Sequence, residues 1–256
     1  MTKKTKIIIA VSAVIAVAAT ITGIAIYKAT HKEVNPTEEI TPAPEEKPYE
    51  NLIESEDVFI YHQFEEGVLA VAGEQGITGD IEIPRSYKGA VITEIASNAF
   101  KDNTNLRKVT IGYPLMINAN AFTNSSVTEI IIKDENGLIP ETSVGFSPYC
   151  FSDCKQLRSF YCEAYMPGLE PYMFSGCSAL ETVTLITPTD SIPEYSFKDC
   201  SSLTEITLPG TIKSIDETAF EGCNNLQTVK GFNGSYVETW AKDQGYTWVG
   251  EDVIAE

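Results

Sequence analysis

The sequence predicts a mainly β solenoid: a right-handed stack of about six 23-residue repeats, with an N-terminal β cap, a C-terminal helix-strand cap and one N-terminal transmembrane helix. Three observations carry this expectation. Phenylalanine recurs at Phe100, Phe122, Phe151, Phe174, Phe197 and Phe220, in steps of 22, 29, 23, 23 and 23. Apolar residues follow each phenylalanine at strand-like spacing. An uncharged, predominantly apolar run, Ile7–Tyr27, precedes all the repeats.

The N-terminus comes first. Lys3, Lys4 and Lys6 lie ahead of the apolar run. At the helical rise, 21 residues reach about 31 Å, the thickness of a hydrocarbon core. Cleaved signals carry shorter apolar regions, so 7–27 reads as an uncleaved anchor. Ala16-Val17-Ala18 leaves cleavage and secretion as the alternative. Lys28 and Lys32 follow the run, so the positive-inside bias is slight. A basic tip of residues 1–6 most simply stays in the cytoplasm, which puts the domain outside a cell membrane crossed once. Residues 28–50 hold Pro36, Pro42, Pro44 and Pro48 among Glu38, Glu39, Glu45 and Glu46. Proline stiffens and like charges extend, so this segment reads as a semi-rigid stalk.

The repeats occupy 96–231. Leu106, Val127, Leu157, Leu180, Leu203 and Leu226 follow the six phenylalanines by six residues, or by five at Val127. Three residues further stand Val109, Ile130, Phe160, Val183, Ile206 and Val229. Two more bring Ile111, Ile132, Cys162, Leu185 and Leu208, with Gly231 closing the last unit. Alternation over so short a span predicts one strand per repeat, buried on one side. A lone strand cannot bury that side, so neighbours must stack in parallel around a shared core.

The pattern Leu-x-x-Ile-x-Leu is the strand signature of leucine-rich repeats. The segments Ile192–Pro209 and Ile215–Leu226 resemble the BspA-like class in particular, and the resemblance covers about residues 58–249. It implies further elements. Ile77–Pro84 and Gly89–Ile95 look like the hairpin-like opening that precedes a first full repeat, which makes 51–95 the N-terminal β cap. Gly234–Gly245 resembles a closing helix, with Ser235 as N-cap, Gly245 as stop, and Trp240 and Trp248 over the last apolar layer. Residues 232–256 are then the C-terminal cap and tail. Six extra residues between Ile132 and Phe151 fall within Lys133–Gly145 and predict a loop on one face.

Cys154, Cys177, Cys200 and Cys223 each lie three residues after a phenylalanine, where Asn103 and Ser125 stand in earlier units. Small polar residues at one position suggest a tight interior turn in which a thiol or amide meets backbone groups. Parallel Cβ vectors argue against bridging, so an unpaired buried ladder is expected. Cys162 fills an inward strand position, and Cys150 stands where Ala99, Ala121 and Ala219 occur.

Chemistry is sparse. The only histidines are His31 and His62, and no Cys-x-x-Cys occurs. That disfavours a metal centre, a Ser-His-Asp arrangement and a Cys-His pair. No phosphate-binding glycine loop is present. No cofactor and no enzymatic activity are expected. Six of the eighteen Lys/Arg and six of the thirty-six Asp/Glu precede residue 51, so the rest of the chain carries the whole −18. Such a charge keeps a domain soluble and repels phosphate backbones, so nucleic acid is not an expected partner. Membrane contact is expected through the N-terminal helix only.

Two repeated surfaces are candidates for ligands. The outward strand positions hold Thr110, Ile131, Tyr161, Thr184 and Thr207, with Tyr165 nearby. Threonine here also suits a strand for its own sake. Tyr161 and Tyr165 are the expected anchors. The second surface lies two residues before the phenylalanines, at Tyr149, Tyr172 and Tyr195, where other units carry Asn98, Asn120 and Thr218. These tyrosines could meet a sugar or a protein, or merely shield the turn. The resemblance implies a bacterial cell-surface binding module for a protein or glycan, such as an adhesin. A structural scaffold of the cell envelope is the alternative.

Overall fold

Strict alternation of apolar and polar residues dictates a sheet buried on one face. A computed structural model describes residues 52–53, 59–65, 68–73, 77–133, 143–186 and 188–251 of the chain. All of these fall in the unit Glu46–Glu256. The anchor at 7–27, the stalk at 28–50 and most of the inserted loop (134–142) lie outside the described residues.

The main sheet has eight strands: Gly79–Ile83, Leu106–Ile111, Glu129–Ile132, Ser159–Cys162, Thr182–Leu185, Glu205–Thr207, Thr228–Phe232 and Thr247–Glu251. Each pairs in parallel with its neighbours in sequence order. Register puts Val109, Ile130, Phe160, Val183, Ile206 and Val229 side by side, all buried. Ile111, Ile132, Cys162 and Leu185 form a second buried row. The six-residue insertion leaves this register intact, since Ile130 still faces Phe160.

Behind the sheet the chain returns through two-residue strands at Met116–Ile117, Gly145–Phe146, Ser191–Ile192 and Ser214–Ile215. It then enters the turn that carries the phenylalanine. The six rings stack at centroid distances of 4.9, 5.4, 5.4, 5.3 and 5.2 Å. Each ring lies on the strand-to-strand spacing of a parallel sheet, so one period governs strands and rings together.

The phenylalanine is gripped twice by the turn that follows it. Its N–H donates to the following turn: Phe122 to the Cys150 carbonyl at 2.8 Å, Phe174 to Ser196 at 2.8 Å, Phe197 to Ala219 at 2.9 Å. Its carbonyl accepts the thiol of the next cysteine. Cys154, Cys177, Cys200 and Cys223 donate to Phe122, Phe151, Phe174 and Phe197 at 3.0–3.2 Å. All six cysteines are free and buried. The ladder is therefore a set of hydrogen-bond donors as well as a strip of small apolar groups. Asn103, at the same position in an earlier turn, uses its amide instead: Nδ2 donates to the Ile77 carbonyl at 3.0 Å, and Oδ1 accepts from the Asn105 and Leu106 amides.

The stack has about seven turns, one more than the phenylalanine count. Gly79–Ile83 pairs in parallel with Leu106–Ile111, so Ile77–Pro84 is a rung of the solenoid and not part of a hairpin. A hairpin does follow it, where Ser86–Tyr87 pairs antiparallel with Ala90–Ile95. The extra turn escapes a phenylalanine alignment for a steric reason. Gly73 donates to the Ala99 carbonyl at 3.1 Å, as the phenylalanines do in their turns. A Cβ at Gly73 would lie 2.5 Å from the Phe100 ring, so no larger side chain fits there. Before it, Phe59–Glu65 and Val68–Gly73 run antiparallel, and Val68–Gly73 pairs in parallel with Ala90–Ile95.

At the other end, Ser235 precedes the helix Tyr236–Asp243 and its side chain accepts from the Glu238 amide. Gly245 takes the left-handed conformation that ends it. Trp240 continues the ring stack, 5.4 Å from Phe220. Trp248 joins the inward row opposite Val229. Gly231 makes room for it: a Cβ there would lie 2.8 Å from the Leu208 carbonyl oxygen and 3.0 Å from the Trp248 ring.

Two outcomes follow for stability. Phe174→Ala removes a ring stacked on both sides, and urea unfolding should show a loss of about 3–5 kcal/mol. A loss below about 1 kcal/mol would mean that the stack does not hold the turns. Cys200→Val keeps bulk but strips the Phe174 carbonyl of its thiol donor, for a cost of about 1–3 kcal/mol. Cys200→Ser, which retains a donor, should be the milder change; the reverse order would show that packing alone matters at this position.

Candidate binding surfaces

Residues that point away from the core repeat as strictly as those that fill it. Register aligns Glu82, Thr110, Ile131, Tyr161, Thr184, Thr207, Lys230 and Val249 across the main sheet. Tyr161, Thr184 and Thr207, expected from sequence as ligand contacts, thus stand in one row and are partly exposed. Tyr165 lies beyond the strand end, outside that row, and is 41% exposed. In the row before it Lys108 pairs with Glu129 at 3.0 Å, and Glu205 of that row reaches across to Lys230 of the Tyr161 row at 2.6 Å. Exposed pairs of this kind add little stability, though they fix side-chain positions on the face.

Tyr161 donates its hydroxyl to Glu163 at 3.0 Å. That hydrogen bond holds the phenol above its ordinary pKa, with slight burial adding to it. Ile186 and Phe232 are exposed by 50% and 38%. The face therefore offers hydroxyls, a phenol oriented by a carboxylate, and exposed apolar groups. These are the ingredients of a recognition surface.

The second surface is more ordered than its spacing alone suggests. Tyr149, Tyr172 and Tyr195 form a stack with centroids 4.9 and 5.0 Å apart and planes inclined by 16° and 28°. All three have left-handed backbones, at φ 63°, 59° and 52°. Asn98 and Asn120 share that conformation in earlier turns. Asparagine tolerates it, whereas a bulky side chain carries a cost of roughly 1–2 kcal/mol. Ring stacking returns about 0.5–1.5 kcal/mol per pair, which offsets part of that cost. Burial, helped by the charge of Glu194, raises the Tyr149 phenol. Burial pushes Tyr172 up to about 12, with Tyr149, Glu194, Tyr195 and Glu221 adding to it. Lys198 lies over the Tyr195 ring, 4.9 Å from its centroid, and is paired with Glu221 at 2.9 Å. Lys198 and Glu194 escaped the sequence reading. Their only sequence signal was their place one residue after a phenylalanine and one residue before a tyrosine.

Glu170 is a third feature that spacing does not announce. It is 6% exposed, and burial pushes its carboxyl up to about 7. Among the described residues, no three His, Cys, Asp or Glu gather closely enough to hold a metal ion.

The model of the BspA type leucine rich repeat region matches in six copies, over residues 80–144 and 135–240, more than half of the chain. Several solved structures are similar to it at low identity. A leucine rich cell surface protein from Faecalibacterium prausnitzii is 19% identical with a TM-score of 0.49, covering 75% of this chain and 42% of its own. The leucine rich repeat protein of T. pallidum is 19% identical at a TM-score of 0.42, covering 69% of this chain and 70% of its own. The pneumococcal vaccine antigen PcpA is 17% identical at 0.43, covering 72% and 50%. The chain thus spans less than half the length of the first of these proteins. No curated protein sequence matches it.

Glu170 makes stability depend on pH in a defined direction. Its folded pKa lies above the ordinary value of 4.5, so the folded state binds the proton more tightly. The resulting stabilisation is complete below about 4.5, declines as pH rises, and is gone above about 7. Glu170→Gln should leave stability near pH 4.5 unchanged and raise it at pH 8 by up to roughly 3 kcal/mol. Thermal melts across this range test it; a variant that keeps the wild-type decline would remove Glu170 as its source.

Proposed function

This chain belongs to the BspA-type leucine-rich repeat family, and from that membership we propose that it is an extracytoplasmic recognition module that binds a protein ligand through the face of its main sheet. The observation that carries the reading is the outward row centred on Tyr161 and Thr184, held in register across eight parallel strands. A rigid, repeated face gives a partner a wide and shallow contact area. Tyr161 and Tyr165 supply the aromatic groups that dominate such contacts, and Thr184 and Thr207 supply hydrogen bonds. The tyrosines at 149, 172 and 195 form a further contact surface. In this reading the chain binds and does not catalyse, and it needs no cofactor.

The apolar run 7–27 and the Pro/Glu segment 28–50 complete the picture as tether and stalk. They would place the 51–95 cap, the 96–231 repeats and the 232–256 closing segment outside the membrane and away from it. The −18 charge supports a protein ligand over nucleic acid. Adhesion to host or neighbouring-cell proteins is the role this arrangement suits best, with glycans as the other ligand class.

The test is retention of the full chain on an array of extracellular matrix proteins and glycans. At least one protein should retain it, and Tyr161→Ala should weaken that binding tenfold or more without changing Tm, as expected of an aromatic anchor. Retention by no protein, or a Tyr161→Ala variant that binds as well as wild type, would overturn the assignment of the sheet face.

A further inference from the structure

A stack of three rings has two inner contacts and two end faces. In Tyr149–Tyr172–Tyr195 both inner contacts are made. A sugar laid flat therefore finds no free face along the length of the stack. The Tyr195 end is closed by the chain itself, with Lys198 over the ring. The Tyr149 end is different. The preceding turn carries Asn120 at this position, with the same left-handed backbone. Its short side chain is engaged in its own turn, where Oδ1 accepts from Thr123 Oγ1 at 3.3 Å. Among the described residues, no ring other than Tyr172 and no Lys or Arg lies against Tyr149. The stack of rings therefore ends at Tyr149, with Asn120 at the matching position of the preceding turn.

We propose that this outer face of Tyr149 is the docking point for a cationic side chain, lysine or arginine, of a basic protein partner. The face of a phenol ring is its negative pole and attracts cations. Glu194 is exposed and lies near enough to act on both Tyr149 and Tyr172. The chain carries −18 overall. Lys198 at the opposite end is an internal example of the same contact, a lysine held over the terminal ring of this stack. A neutral sugar could stack and donate hydroxyls to the carboxylates, but it would gain no attraction between opposite charges. This surface is separate from the main-sheet face, so the inference stands even if that face is inert.

Binding of a labelled Lys-Ser repeat peptide to the full chain at low ionic strength tests it. The same peptide with acetylated lysines and a β-1,4-linked N-acetylglucosamine hexamer serve as the other arms. Diffuse attraction to an acidic protein would also retain the basic peptide, so the Tyr149 variants, which leave net charge untouched, decide the question. Tyr149→Asn places there the residue that the molecule already uses at 98 and 120. Tyr149→Leu keeps apolar bulk without the ring. Both should weaken the peptide about three- to fivefold, while Tyr149→Trp holds or strengthens it. Glu194→Gln should weaken it too, and acetylation should abolish it. Equal binding by wild type and Tyr149→Leu would overturn the proposal, as would Tyr149-dependent binding of the hexamer without the peptide.

Discussion

The spacing between parallel strands is the constraint on which everything else in this molecule depends. Hydrogen bonding between strands sets one distance, and every other row must accept it. The phenylalanine rings comply, at 4.9–5.4 Å. So do the turn peptides, because Phe122, Phe151, Phe174 and Phe197 are each tied to the following turn twice, by the N–H and through the carbonyl. The buried thiols are the less obvious half of that grip. A thiol is a weak donor, but it is small enough to sit inside a turn and is content among apolar neighbours. At Asn103 an amide donates to a carbonyl of the preceding turn instead, while the Ser125 hydroxyl lies against the Cys154 thiol, so cysteine is not required in every turn.

The same constraint creates the surfaces. A residue that recurs at one position of the repeat becomes a row at the strand spacing whether or not a ligand needs it. On the sheet this yields a face of hydroxyls and ion pairs with Tyr161 near its middle. At the turns it forces Tyr149, Tyr172 and Tyr195 into face-to-face contact. Stacking consumes the ring faces along the row and leaves its ends as the distinctive places. The ends are unlike each other, because Lys198 follows Tyr195 within its own turn while Asn120 precedes Tyr149 in the stack.

Ends matter for the solenoid as a whole as well. Gly73 and Gly231 stand where side chains occur in other turns, and in both places a neighbouring aromatic ring takes the space, Phe100 in one case and Trp248 in the other. Each glycine thus marks the point at which the regular stack passes into a different packing. Glu170 shows the opposite situation, a carboxyl drawn into the interior beside turns that elsewhere bury apolar groups. The strength of its proton binding follows from that burial.

Sequence by itself determined the repeat, the strand registers and the inward and outward rows. These depend on local alternation and on a period that one dimension displays in full. It also identified Ser235, Gly245 and Trp240 at the closing helix, since capping and stacking there involve near neighbours. The extra turn at Gly79–Ile83 was hidden because its phenylalanine is replaced by Gly73, and only the position of the Phe100 ring shows why. The protonation of Glu170, the thiol bonds across turns and the unequal ends of the tyrosine stack were likewise decided in three dimensions. Each arises from groups more than twenty residues apart that the stacking brings within contact, and no local pattern encodes which face of a ring another turn will cover.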